Sequence, residues 1–278
     1  MVEQYTRAGV KARLLAAGAA LLMTAMVGAC ASGPKQPPTG TPDPDRFLFE
    51  RGTAALNEKK WLTAREYFRQ LVDTYPQSTY RADAKLGVGD TYLGERTTEA
   101  YILAANEFRE FLNFFPTHGR ADYAQYKLGM THFYQMRSPD RDQTETKEAI
   151  KELSAFMERF PNSPLAPEAS VRLREARDRL GSAEYRVGLH YYRIRWYPGA
   201  IDRWTTLLKQ DPLYTNRDAV FYHLADALVK TQRPAEALPY FERLLSEFEQ
   251  SEYLELARKR VAELKTTVMN EKTSVTVR

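Results

Sequence analysis

Few residues in this 278-residue chain are of a type that supports covalent or metal chemistry. The single cysteine, Cys30, has no second cysteine with which to form an internal disulfide. The glycines of residues 87–94 match neither common nucleotide-binding motif, and no Ser-His-Asp or paired-carboxylate arrangement suggests catalysis. The four histidines lack the spacing of paired zinc ligands; they are His118, His132, His190 and His223. The sequence therefore predicts a protein that is not an enzyme and uses no metal or cofactor.

The surroundings of Cys30 indicate what the cysteine does. Basic residues between Arg7 and Arg13 precede an uncharged, mainly apolar run from Leu14 to Ala29. This run is shorter than the roughly 20 residues that span a membrane, so it is typical of a removable secretion signal. Val27-Gly28-Ala29-Cys30 resembles the lipobox of bacterial lipoproteins, which implies that residues 1–29 are removed and that Cys30 is lipidated. An uncleaved anchor and a secreted protein with an idle thiol are the alternatives.

A lipidated Cys30 would attach the protein to a membrane surface. Lipobox cysteines carry three acyl chains, and two or more chains give a stable anchor. Ala31 replaces the aspartate that retains enterobacterial lipoproteins at the inner membrane, so the resemblance implies the outer membrane, facing the periplasm. Residues 30–45 contain five prolines and are expected to form an extended linker between the anchor and the folded part.

Charge is unevenly distributed in the rest of the chain. The formal net charge is only +4, yet residues 171–210 carry nine Lys or Arg against four Asp or Glu. The basic residues do not form a run, and a protein in the periplasm rarely meets nucleic acid. We therefore expect an acidic protein partner and no nucleic acid.

A repeated pattern is the strongest signal in the sequence. Five alanines mark it: Ala64, Ala104, Ala149, Ala200 and Ala237. A bulky apolar residue stands four positions after each, namely Phe68, Phe108, Leu153, Trp204 and Phe241. A small residue precedes each alanine: Gly52, Gly89, Gly129, Gly188 and Ala225. Prolines follow the first four alanines by twelve residues and end each unit. This is typical of tetratricopeptide (TPR) repeats, in which small residues let two antiparallel helices approach and bulky residues fill the gap.

The repeats are longer than usual and irregular. Ser163–Leu180 has apolar residues at helical spacing and predicts an extra helix before repeat four. In repeat three, Asp142 and Glu145 predict a capping box at a helix start. The predicted fold is therefore all-α, a superhelical array of five TPR-like helix pairs with one inserted helix. We expect repeats 1–3 in residues 46–162, the inserted helix and repeats 4–5 in 163–249, and a C-terminal helix and polar tail in 250–278.

Several segments, taken in order, resemble the BamD/ComL family of outer-membrane assembly lipoproteins. Besides the lipobox they are YPQSTYRADAKL, FLNFFPTHGRADYAQYKLGM, SPDRDQTETKEAI, RFPNSPLAPEA and YRVGLHYYRIRWYPGAIDRW. The resemblance implies a non-enzymatic adaptor of the machinery that folds β-barrel proteins into the outer membrane. It implies that the first repeats receive unfolded barrel proteins and that the last repeats dock the periplasmic domains of the insertase BamA. Other assembly lipoproteins are further candidate partners. Residues 265–278 match no family motif.

Some residues are candidates for these two interactions. The resemblance implies that Arg203 contacts an acidic residue of the insertase; the alternative is a surface pair within its own repeat. Trp196 and Tyr197 flank a turn and are further candidates for partner binding. Alignment of the first three repeats assigns six residues to a substrate-binding groove, or alternatively to packing between helices: Arg46, Phe49, Asp90, Tyr123, Tyr126 and Met130.

Two other classes of protein compete with this interpretation. A TPR lipoprotein of another envelope system, such as a secretin pilotin, is a second scaffold, although that class tends toward regular 34-residue repeats. An envelope enzyme such as a transglycosylase would need a catalytic segment outside the repeats. Too little sequence remains outside them for such a segment.

Overall fold

The computed structural model describes residues 36–276, with side chains described as far as Thr266. This part of the chain contains eleven α-helices and no strand, so the predicted all-α fold is confirmed. None of these helices is long and apolar enough to cross a membrane. The predicted signal and Cys30 lie outside the described residues. The helices are α1 (Pro44–Asn57), α2 (Trp61–Thr74), α3 (Arg81–Glu95), α4 (Thr98–Phe114), α5 (Ala121–Phe133), α6 (Thr144–Arg159), α7 (Ala166–Arg193), α8 (Tyr197–Gln210), α9 (Arg217–Lys230), α10 (Pro234–Glu247) and α11 (Leu254–Thr276).

The chain divides into two compact units, of which the first ends at Thr91 and the second begins at Tyr92. In the first unit, α1 packs against α2. Phe68 of α2 lies against Gly52 of α1 and Gly87 of α3, where an added Cβ would lie 2.6 and 2.5 Å from ring carbons. The small residues are therefore needed so that the helices can pack on the phenyl ring.

The second unit continues the same arrangement from α4 to α11, with each helix packed against the next. Gly129 of α5 lies against Leu153 of α6, and Gly188 of α7 against Trp204 of α8. The side chains of Leu153, Trp204 and Phe241 are fully buried. The predicted pairing of a small residue with a bulky one is thus the packing contact of these helix pairs.

The predicted inserted helix is helical but is not a separate element. Residues 166–180 form the first half of α7, a continuous helix of 28 residues. Gly181 does not interrupt it, because this glycine packs against Tyr214, with an added Cβ only 2.6 Å from the ring. Asp178 lies within α7 and binds Thr215 in the loop after α8, with the hydroxyl 2.7 Å from the carboxylate.

The same contact recurs between an aspartate at the start of a repeat and a serine at its end. Ser78 donates to Asp45 at 2.7 Å, Ser163 to Asp122 at 2.6 Å, and Ser251 to Asp218 at 2.7 Å. Each aspartate is in the first turn of a helix, whereas each serine is in the loop that leaves the repeat. We refer to these contacts as the Ser–Asp clamps. In α7 the equivalent aspartate is Asp178, so the extra residues of α7 precede it.

The turns inside the helix pairs also repeat. One residue in each of four turns has a positive φ of 57–63°: Lys59, Arg96, Arg195 and Gln232. In three of these turns the next residue donates its N–H to the carbonyl five residues earlier, at 2.9 Å: Lys60 to Ala55, Trp196 to Tyr191 and Arg233 to Leu228. This is a Schellman-type helix end.

The third repeat has a longer loop in place of that turn, between α5 and α6. The predicted capping box at the start of α6 is wrong. Asp142 accepts from the N–H and the hydroxyl of Thr144, at 3.2 and 3.0 Å, which is an Asx-type turn. Glu145 instead lies 2.8 Å from Nδ1 of His132.

Candidate partner-binding surface

Arg203 lies on α8 and faces α7. Its Nη1 lies 3.2 Å from Oε2 of Glu184, and the two side chains are 45% and 32% exposed. This is the surface pair within one repeat that was the alternative to partner binding. A guanidinium has five N–H donors, and only one nitrogen of Arg203 makes this contact. Arg203 therefore still has donors for a carboxylate of a partner.

Trp196 lies on the same side of α8 as Arg203. Trp196, Gly199 and Arg203 are three and four residues apart, a spacing that aligns side chains on one face of a helix. The Trp196 ring is 53% exposed and meets the Tyr191 ring at a centroid distance of 4.7 Å and an angle of 89°. Gly199 leaves room for it, since an added Cβ would be 2.6 Å from the indole. Trp196 is thus held in a fixed position while half of it faces solvent.

Tyr197 does not share this surface. Its ring packs 5.5 Å from that of Tyr192 and lies 6.0 Å from Nζ of Lys230. Tyr192 in turn donates a hydrogen bond to the buried carboxylate of Asp226. Tyr197 therefore contributes to packing toward α9 and is separated from the surface of Trp196 and Arg203.

The turn between α7 and α8 extends this surface. Arg193, Ile194 and Arg195 are all exposed, and the side chain of Ile194 is 58% exposed. Within residues 36–266, no ion pair involves Arg193 or Arg195. The turn therefore presents positive charge beside an apolar side chain and Trp196, which fits the predicted acidic partner.

A groove lies next to Arg203, between the loop after α5 and the middle of α7. Its volume is about 570 Å³. Arg186 of α7 holds the loop through Asp140 at 3.4 Å, and Arg179 does so through the carbonyl of Arg137 at 3.2 Å. The lining residues of the groove are Pro139, Asp140, Arg141, Gln143, Lys147, Leu180, Ala183, Glu184, Arg186, Val187 and His190. Glu184, the partner of Arg203, thus also forms part of the groove wall.

Three of the predicted substrate-binding residues are in the first unit. Arg46 is exposed and pairs with Glu50 at 2.8 Å. Phe49 is half-buried and stacks on Tyr80 at a centroid distance of 5.0 Å. Asp90 is half-buried and has an interaction partner. Arg46 is therefore the most accessible of the three.

The other three predicted substrate-binding residues are on α5 in the second unit. Tyr123 is half-buried, with the Arg120 guanidinium 4.5 Å from its ring centroid. Tyr126 and Met130 are only 5% and 2% exposed and pack with Leu153 and other core residues. Burial raises the pKa of the Tyr126 hydroxyl well above its usual range. Tyr126 and Met130 face α6 and α7, so their assignment to a peptide-binding surface is corrected to core packing.

An apolar surface on α4 was not predicted from the sequence. Ile102 and Leu103 are 53% and 44% exposed, and Tyr101 stacks on Tyr134 at 5.9 Å. The buried positions of α4 are Ala100, Ala104, Ala105, Phe108, Phe111 and Leu112. The sequence shows apolar residues at positions of α4 outside this buried face. This was the signal that could have predicted the exposed apolar surface.

In the part of the chain that the structure describes, no group of three or more His, Cys, Asp or Glu side chains is placed to hold a metal ion. The contacts of the candidate surface are thus ionic, aromatic and apolar.

Comparison with known proteins provides independent information. The family model of an outer membrane lipoprotein, YfiO, matches residues 42–233, and a tetratricopeptide-repeat model matches residues 219–251. The outer membrane protein assembly factor BamD of Caulobacter vibrioides is 26% identical over 75% of this chain and 68% of its own length. The protein of the same name from Vibrio cholerae is 28% identical over 69% and 81%. Among solved structures, a TPR2AB-domain:pHSP90 complex of yeast Sti1 is 12% identical over 82% of this chain and 86% of that chain, with a TM-score of 0.42.

Proposed function

The chain belongs to the outer membrane lipoprotein (YfiO) family, and from this premise we propose that it is an adaptor of outer-membrane β-barrel assembly. It works by binding alone and catalyses no reaction. It is anchored by lipid at Cys30 to the outer membrane and faces the periplasm. The family match over residues 42–233 carries this proposal, and curated relatives named as outer membrane protein assembly factors support it.

The later repeats dock the periplasmic domains of a BamA-like insertase. The docking residues are Arg203, whose guanidinium is half-exposed, and Trp196, whose ring is held in place and half-exposed. Arginine and tryptophan are the residue types that most often dominate binding energy at interfaces. Tyr197 packs on Tyr192 toward α9 and is not one of the docking residues.

The first three repeats bind unfolded barrel proteins. Arg46 offers an exposed cation and Phe49 a partly accessible ring on the first repeat. Tyr123 offers an aromatic ring on the third, and Ile102 and Leu103 offer apolar contacts on the second. Each of these surfaces, taken by itself, offers contacts for apolar and aromatic side chains of an extended barrel strand.

Affinity isolation from detergent-solubilised outer membrane tests the proposal. Wild-type protein should recover the insertase, whereas Arg203→Glu and Trp196→Ala should recover much less. Arg258→Glu is the matched control, because Arg258 is also exposed and paired with one glutamate, at α11. Recovery of a different envelope complex, without the insertase, would indicate the scaffold of another system. Equal recovery of the insertase by Arg203→Glu and wild type would contradict the assignment of Arg203 as a docking residue.

A further inference from the structure

Arg203 is occupied by a carboxylate of its own chain. Glu184 is the acidic residue that lies within ion-pair distance of it in the described part of the chain. The contact joins one nitrogen to one oxygen at 3.2 Å, and both side chains are partly exposed. A partner carboxylate that binds Arg203 must therefore share the guanidinium with Glu184 or replace it.

The groove that Glu184 lines contains another cation. Lys147 lines the same groove, is exposed, and forms no ion pair within residues 36–266. Arg186, also in the groove, is already paired with Asp140 at 3.4 Å. A displaced Glu184 would still face a groove that Lys147 also lines, and an exposed pair such as Glu184–Arg203 is weak. Exchange of one carboxylate for another at Arg203 therefore costs little free energy.

We propose that Glu184 is an internal competitor for Arg203 and sets the strength of carboxylate binding that a partner needs in order to dock. This inference rests on the proposed docking of an acidic partner at Arg203. Glu184 lowers the affinity of every carboxylate-bearing surface for Arg203. A partner whose carboxylate is well aligned, or that also contacts Trp196, still displaces Glu184, whereas a weakly acidic surface does not.

The test is the binding of purified BamA periplasmic domains from the same bacterium to the full chain in detergent, measured calorimetrically. Glu184→Gln should lower Kd by about two- to five-fold at low salt, the range expected for an exposed ion pair. The difference should shrink at high salt, because exposed charges are screened. Glu175→Gln is the matched control, since Glu175 is on the same helix and pairs with Arg172 at 3.1 Å. It should leave Kd unchanged.

A second variant separates this inference from the proposed docking site. In an Arg203→Gln background, Glu184→Gln should have no effect on Kd, because the competed group is absent. Weaker or unchanged binding by Glu184→Gln alone, with Arg203→Gln still weakening it, would overturn the competitor role and leave the docking site standing. Unchanged binding by Arg203→Gln would overturn the docking site itself. Thermal unfolding of each variant excludes loss of the fold.

Discussion

Gly188 of α7 lies directly against the indole ring of Trp204 on α8, and a side-chain carbon on Gly188 would come within 2.5 Å of Cε2. The ring is fully buried, and its Nε1 donates to the carbonyl of Tyr185 at 3.2 Å. The ring therefore has no room to move away. This contact holds together the helix pair that carries Arg203 and Trp196.

Gly188→Ala should destabilise the protein. The added methyl group overlaps the ring, and overpacking of this kind costs about 1–3 kcal/mol. Urea unfolding followed by circular dichroism gives the free energy of unfolding. Gly119→Ala is the matched control, because nothing lies within 4 Å of its added carbon, and its stability should change little. Equal stability of Gly188→Ala and wild type would contradict the close packing.

The Ser–Asp clamps should stabilise the repeat ends. Ser163→Ala removes a hydroxyl that donates to Asp122 at 2.6 Å and accepts from the N–H of Leu165 at 3.1 Å. Loss of a hydrogen bond to a charged group is expected to cost about 1.5–3 kcal/mol of unfolding free energy. Ser170→Ala, on the exposed side of α7, should cost far less.

A double-mutant cycle tests whether the two clamp residues act together. Asp122→Ala and Ser163→Ala should be clearly less than additive, because either change alone breaks the contact. Additive effects would mean that the two side chains stabilise the repeat independently.

The sequence predicted the helix packing better than the polar contacts. The pairing of Gly188 with Trp204 follows a fixed period, and close packing leaves few residue types at such positions. The clamps also recur, with Asp45 and Ser78 separated by 33 residues, as are Asp218 and Ser251. A serine and an aspartate that far apart look like ordinary surface residues until the fold brings them together.

The sequence predicted the candidate surface only in part, again because the fold decides which side chains share a face. Trp196 and Arg203 lie on one face, but the neighbouring Tyr197 faces the other side, since successive helical residues point about 100° apart. Tyr126 and Met130 were misassigned because α5 packs on both α6 and α7, so that its buried face is wide. The spacing of apolar residues in the sequence does not by itself show how wide the buried face of α5 is.

Lipidation should decide where the protein resides. Cys30 lies outside the described residues, and the prediction comes from the lipobox resemblance. Cys30→Ala should leave the helical repeats folded and release the protein from the membrane fraction, because the variant lacks the thiol that would carry the acyl chains. Fractionation with immunoblotting measures the release, and the circular dichroism of the released protein checks its fold. An unchanged membrane fraction would contradict an acyl anchor.

Acidification should destabilise the C-terminal repeats through His223. Burial lowers the pKa of His223 from its ordinary 6.5, because the imidazole is enclosed by aromatic rings at centroid distances of 5.3–5.8 Å: Tyr185, Tyr192, Trp204, Tyr222 and Tyr253. Nδ1 lies 2.8 Å from the carbonyl oxygen of Ala219, so the neutral ring carries its proton there. The charged acidic groups nearby are Asp226 and Glu252, and the basic one is Arg193.

The direction of this pH effect on stability follows from proton binding by the folded and unfolded chains. With a lower pKa in the folded state, the unfolded chain binds more protons below pH 6.5. The stability contributed by neutral His223 is therefore complete above pH 6.5 and is lost as the pH falls through the folded pKa. Unfolding temperatures between pH 7.5 and 5.0 should fall less steeply for His223→Gln than for wild type. His190→Gln, at an exposed position, should retain the wild-type slope. If His223→Gln retains that slope as well, the imidazole is not the group whose protonation weakens the fold.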